Sequence, residues 1–196
     1  KRVKVTASKA KGLVNRSGQK TGMENGNYLV VYLGILLALL SVATFFVVRQ
    51  VWVTRRTELT LSDLQTKLTK EKGTALEYYE LGSLLLDKKL YAQAAIYLKK
   101  ALKELPEEES ENAVLVHNAL GYTYFAQEQF DLAIRQYNEA LKIRPDYVTA
   151  LNNLGHTYER KQLMPQALET YEKSLATEPA NETAKRRADS LRKRLA

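Results

Sequence analysis

A self-similarity of period 34 constrains this chain more than any other feature. Gly121 and Gly155 lie 34 residues apart, and so do Pro145 and Pro179. Aligned on them, HNALGYTY (117–124) falls over LNNLGHTY (151–158), and AIRQYNEALKIRP (133–145) over ALETYEKSLATEP (167–179). An earlier copy, YYELGSLL (78–85) with AAIYLKKALKELP (94–106), sits 39 residues upstream, so five extra residues separate the first and second copies. A repeat of this length is one supersecondary unit used again. No copy buries its apolar face alone, and stacking on the next copy completes a shared core.

Each residue type in the unit has a steric task. Gly82, Gly121 and Gly155 remove a Cβ where two helices must approach, and Ala94, Ala133 and Ala167 do the same on the second helix. Leu98, Tyr137 and Tyr171 fill the space between successive pairs, and Pro106, Pro145 and Pro179 end each unit because proline cannot continue a helix. The pattern resembles the tetratricopeptide repeat and predicts repeats at 75–108, 114–147 and 148–181. An acidic insertion at 109–113, marked by the run from Glu107 to Glu111, separates the first two. Thr74-x-x-Glu77 reads as a capping box before the first repeat. Ser62-x-x-Gln65 reads as another, opening a helix near 63–71 within a juxtamembrane connector at 49–74. Leu191 and Leu195 stand four apart amid Lys and Arg, which makes 182–196 a polar-faced capping helix.

Ahead of the repeats, Tyr28 to Val48 holds 21 residues without a charge. As a helix this run covers about 30 Å, the thickness of a bilayer core. Tyr28 and Tyr32 at one end, and Trp52 with Arg49, Arg55 and Arg56 beyond the other, are the anchors expected at two membrane interfaces. A buried soluble helix would carry a polar stripe, absent here. A cleavage site at Ser41-Val42-Ala43 would lie inside the apolar run rather than after it. The expected fold is therefore all-α: one N-terminal transmembrane helix, then a three-repeat tetratricopeptide solenoid with a C-terminal capping helix. Arg49, Arg55 and Arg56 against Arg16 and Lys20 bias the repeats to the cytoplasm-like side. Residues 1–27 form a basic tail. Its composition resembles the end of an organelle transit peptide, with Val5-Thr6-Ala7 like a plastid processing site, or else a plain basic tail; a first residue of Lys fits a chain that is processed or incomplete.

Composition excludes several function classes. The net charge is +8, yet residues 75–181 carry −5, and the positive charge lies in 1–27, 49–74 and 182–196. A groove that tracks phosphates needs the reverse distribution, so no nucleic acid is expected as a partner. Zero Cys removes disulfides, thiol nucleophiles and self-ligated iron–sulfur clusters, and two His leave little for a metal site. No nucleophile–base pair or phosphate-cradling loop appears, so neither an enzyme, a cofactor nor a small-molecule substrate is expected. His117 falls at a packing position.

A groove remains. In such repeats the second, fifth, ninth, twelfth and thirteenth places line the inner face. The fifth, ninth and twelfth are Tyr79, Ser83 and Leu86; Asn118, Tyr122 and Phe125; and Asn152, His156 and Glu159. Asn118 and Asn152 can hold a peptide backbone by donating and accepting together, while Tyr79, Tyr122 and Phe125 offer flat apolar anchors. On this reading, Asn118→Ala with Asn152→Ala spares folding and weakens partner capture. Repeats that bind chaperone tails clamp carboxylates with Lys and Arg beside two Asn. Here Tyr79, Ser83 and His156 stand in those places, so the clamp is incomplete.

The order of span and repeats, with particular stretches, resembles a family of thylakoid photosystem I assembly proteins, the chloroplast pale yellow green seven type and its cyanobacterial counterpart. The stretches are TFFVVRQV (44–51) with Arg55-Arg56, Glu80-Leu81-Gly82, Asn118 to Gly121, and Tyr147 to Gly155; the likeness covers about 28–195. The resemblance implies a single-pass thylakoid protein of the chloroplast, with stroma-facing repeats that bind photosystem I subunits or other assembly factors. Two further readings stand beside it: a membrane-anchored receptor for chaperone or import, and a non-catalytic subunit of a membrane enzyme complex.

Overall fold

The computed structural model describes residues 18–106 and 111–195, with side chains from Tyr28 onward. The described residues form eight helices and no strand: α1 (Gly18–Lys70), α2 (Ala75–Asp87), α3 (Tyr91–Glu104), α4 (Ala113–Ala126), α5 (Phe130–Ile143), α6 (Val148–Arg160), α7 (Met164–Thr177) and α8 (Glu182–Leu195). The chain divides into two units, Lys1–Arg56 and Thr57–Ala196. The transit-peptide reading at Val5-Thr6-Ala7 and most of the acidic run after Pro106 lie outside the described residues. Glu111 and Asn112 form a 3₁₀ turn, and Ala113 opens α4.

In the N-terminal unit every described side chain is solvent-exposed, including Tyr28, Tyr32, Arg49, Trp52, Arg55 and Arg56. The apolar stretch here is long and apolar enough, by length and composition, to cross a membrane, with a mean hydropathy of 2.6 in its best window. Its two hydroxyls are self-satisfied: Ser41 Oγ donates to the Leu37 carbonyl at 2.8 Å and Thr44 Oγ1 to that of Leu40 at 2.7 Å. The Arg56 guanidinium lies 5.7 Å from the Trp52 ring centroid.

Two sequence expectations change at α1. The helix begins at Gly18, inside the segment read as a tail, and no helix starts at Ser62, through which α1 continues unbroken. A capping box acts only where the preceding chain leaves helical geometry, and no Gly or Pro interrupts residues 35–72 to make it do so. Leu61 and Leu68 are buried instead, and Leu64 packs beside them in the core of the repeats. The last turns of α1 thus cap the first repeat. Their 3–4 spacing was the available signal.

α2 to α7 form three antiparallel helix pairs. α2 opens on the expected capping box: Glu77 N donates to Thr74 Oγ1 at 3.3 Å, and Thr74 N to Glu77 Oε2 at 2.9 Å. Each pair turns through a residue in the left-handed region, Lys89 (φ 61°), Glu128 (φ 58°) or Gln162 (φ 63°). The next amide reaches back five residues, as Leu163 N does to the Tyr158 carbonyl at 2.9 Å. Each second helix ends two residues before proline, because proline forces its predecessor out of helical ψ. Leu105, Arg144 and Glu178 accordingly have ψ of 125°, 92° and 87°.

The glycines sit where helices nearly touch. A Cβ on Gly82 would stand 2.8 Å from Leu98, on Gly121 2.6 Å from Tyr137, and on Gly155 2.9 Å from Tyr171. These three large residues therefore fill the contact inside each pair, against their own repeat's glycine, rather than only the space between pairs. Tyr137 and Tyr171 are 1% exposed. Burying a side chain of this size stabilises the fold by about 1.5–3 kcal/mol. The buried hydroxyls of Thr123, Thr157 and Thr170 donate to carbonyls one turn back, at 2.7–2.8 Å.

Candidate functional site

The first helix of each pair, α2, α4 and α6, carries the expected groove positions on one face, and α4 touches both α2 and α6. At one end Tyr79 is half-buried and lines a cleft of about 150 Å³ with Leu76, Leu105, Leu115 and Val116. Leu76 is 67% exposed and Leu115 41%. They occupy the second place of their repeats, so the register itself pointed to them. Ser83 is half-buried, and Leu86 packs against the core.

In the middle, the structure gathers Tyr122, Phe125 and His156. Tyr122 stacks on Phe125 with centroids 6.5 Å apart, and the Phe125 ring lies 4.9 Å from that of His156. Arg160, at the thirteenth place, covers the same surface: its guanidinium lies 5.7 Å from the Phe125 centroid and 5.2 Å from that of Phe130. It also pairs with Glu128 at 3.0 Å. Burial, then the positive charge of Arg187 and Arg160, holds the His156 pKa below the usual histidine value despite Glu159 nearby.

The two asparagines have partners within the chain. Asn153 Nδ2 donates to Asn118 Oδ1 at 3.1 Å, and Ser174 Oγ donates to Asn152 Oδ1 at 2.8 Å. In each the carboxamide oxygen is already used. The expectation that their double removal spares folding therefore changes: each lost bond costs stability of about 1 kcal/mol. Glu159 is committed as well. Its Oε1 accepts from Tyr171 Oη at 2.7 Å and its Oε2 from Arg187 at 3.4 Å. Burial, and then this bond to a carboxylate, pushes the Tyr171 pKa far up, so the phenol stays protonated and donates. His117 lies half-buried outside the groove set, its Nδ1 2.9 Å from Gln136 Oε1.

The groove thus offers apolar rings and leucines, amide donors and guanidinium groups. Rings, leucines and hydrogen-bond donors side by side are chemistry that suits contact with a polypeptide segment. Residues 78–106 and 150–185 match the family described as "Tetratricopeptide repeat", and residues 111–162 match "TPR repeat". Among curated relatives, "Tetratricopeptide repeat domain-containing protein PYG7, chloroplastic" of Arabidopsis thaliana is 40% identical over 164 residues, 84% of this chain and 54% of that protein. This chain therefore spans about half the length of that relative. "Uncharacterized protein ycf37" of Cyanophora paradoxa is 36% identical over 160 residues, 82% of this chain and 90% of that protein. A solved structure, the first TPR of Spaghetti (RPAP3) bound to an HSP90 peptide, superposes with TM-score 0.57 at 24% identity, covering 64% of this chain and 95% of that one. That likeness concerns the fold alone. With repeats matched along 78–185 and relatives at this identity over most of the chain, the protein belongs to the ycf37 and PYG7 family of tetratricopeptide-repeat proteins.

Proposed function

We propose that this protein is a membrane-anchored, non-catalytic interaction scaffold that assists assembly or stabilisation of photosystem I at the thylakoid. The observation that carries the reading is the pairing of one helix apolar enough to span a bilayer with a repeat groove floored by Tyr122, Phe125 and His156. The chloroplast relative supports the plastid setting. In this reading residues 28–48 are the span, anchored by Tyr28, Tyr32, Arg49, Trp52, Arg55 and Arg56. Residues 49–74 connect it to repeats at 75–108, 114–147 and 148–181, which face the stroma.

Site-specific photo-crosslinking in thylakoid membranes tests this. A crosslinker placed at Tyr122, whose side chain is 45% exposed, should capture a photosystem I subunit or an assembly factor for that complex. Loss of the chain should lower photo-oxidisable photosystem I while sparing photosystem II fluorescence. Crosslinks confined to chaperone tails would replace the reading with a docking receptor. A stoichiometric catalytic chain would make the protein an enzyme subunit. Protease added to sealed, stroma-side-out vesicles should digest the repeats; their protection would overturn the orientation.

A further inference from the structure

The 34-residue register does not stop at the third repeat. Carried one step further, Asn152, His156, Glu159 and Arg160 fall on Arg186, Ser190, Lys193 and Arg194 of α8. α8 buries Ala184, Ala188 and Leu191 in the core it shares with Tyr171, and Arg187 reaches Glu159 of α6 at 3.4 Å. That bond fixes which side of α8 adjoins the groove. By helical geometry Thr183, Arg186, Ser190, Lys193 and Arg194 follow Arg187 on that side, and all five are exposed. Arg192 lies on the other side, paired with Glu172 of α7 at 2.9 Å. α8 is therefore the first helix of a fourth unit, and its groove face is basic.

Along the groove the floor changes character step by step. α2 and α4 supply Leu76, Tyr79, Leu115, Tyr122 and Phe125. α6 supplies His156 and Arg160, and α8 supplies Arg186, Lys193 and Arg194. The one carboxylate of α6 that faces this region, Glu159, is already held by Tyr171 and Arg187.

We infer that the groove takes a partner polypeptide segment of one polarity: an apolar stretch seated over α2 and α4, followed by side-chain carboxylates against α6 and α8. This rests on the reading that the groove binds partners, and names their chemistry. Helices packed side by side lie about 10 Å apart, so the middle of the apolar half and the middle of the charged half are separated by about 20 Å, or roughly six extended residues. A flat anionic surface would meet the charges without using the apolar floor, which is why a segment fits better.

The test uses the full chain in phosphatidylcholine nanodiscs and three labelled peptides. Each carries Leu-Phe, a Ser-Gly spacer and a blocked, amidated end, with Glu-Asp-Glu, Gln-Asn-Gln or Lys-Lys-Lys as its second half. Fluorescence anisotropy should show the acidic peptide binding about tenfold or more tighter than the basic one, with the gap shrinking as salt rises. Arg186→Glu with Arg194→Glu should abolish that preference while circular dichroism and melting hold. Leu76→Ser with Leu115→Ser should weaken the acidic and neutral peptides alike. Equal binding of all three peptides, lost in the leucine variant, would overturn the charge assignment and leave the groove standing. Acidic binding that ignores the leucine variant would overturn both the segment and the groove as its seat. Absence of binding by the acidic peptide would also overturn the inference. So would co-flotation with phosphatidylglycerol vesicles that is lost in the arginine variant while no peptide binds, since the basic face would then serve a lipid surface.

Discussion

Adding one methyl group at Gly121 tests the packing that builds the groove. The new Cβ of Gly121→Ala would stand 2.6, 2.8 and 3.0 Å from Cε1, Cδ1 and Cζ of Tyr137. Carbon atoms in good contact sit about 3.5–4.0 Å apart, so α4 or the ring must move. Tyr137 is 1% exposed and has no open side to retreat into. Overpacking of this kind costs about 1–3 kcal/mol, whereas replacing a helical glycine by alanine returns about 1 kcal/mol. The net expectation is a loss of up to about 2 kcal/mol, and more for Gly121→Leu. Gly155→Ala should cost less, because its nearest ring atoms lie at 2.9–3.1 Å. Gly34→Ala, with nothing within 4 Å, should cost nothing. Thermal unfolding followed by the near-ultraviolet dichroism of the buried tyrosines reads the repeats, since the only tryptophan, Trp52, lies outside the unit Thr57–Ala196. A rise in Tm for Gly121→Ala, the outcome helix propensity alone predicts, would refute the contact.

Three further outcomes follow from the caps, the groove and the turns. Thr74→Ala removes one arm of the capping box and should cost about 0.5–2 kcal/mol in urea unfolding, with Thr74→Ser restoring most of it. His156 has a folded pKa below its unfolded value, so the stability it allows is full above the ordinary histidine pKa of about 6.5 and falls as pH drops below it. His156→Gln should flatten that part of the Tm-against-pH curve, and an unchanged slope would discard the assignment. Gln162→Gly relieves a side chain at φ 63° and should raise stability by about 0.5–1 kcal/mol, read as a higher urea midpoint at constant slope.

The helix pairs were legible because their contacts leave a mark on residue type. A glycine must face Tyr137, and a proline must follow Arg144, wherever the unit recurs. The groove was legible as positions but not as bonds. Asn118 meets Asn153 and Asn152 meets Ser174 only because of how neighbouring helices cross, and no spacing rule carries that geometry. Ser62 misled because a four-residue cap motif means nothing without a break before it, and the chain supplies none. The groove face of α8 escaped notice for a different reason: its register continued while its chemistry changed from Asn and His to Arg and Lys.

The buried residues of the repeats fall into two clusters. One runs from Leu61 to Leu154; the other holds Ala167, Tyr171, Ala184, Ala188 and Leu191, with Tyr158 packed against both. A stack held by nearest-neighbour contacts melts from its ends, and a small separate core lowers the free energy of opening there. α8, held by α7 and by the bond from Arg187 to Glu159, is therefore the first helix of the stack to fray, while Tyr171 against Gly155 and Ser174 on Asn152 keep α7 seated on α6. A bound segment need not thread into a closed channel. A segment whose carboxylates meet the basic face of α8 would hold that helix down, so that binding of the charged half and docking of the last helix would reinforce each other.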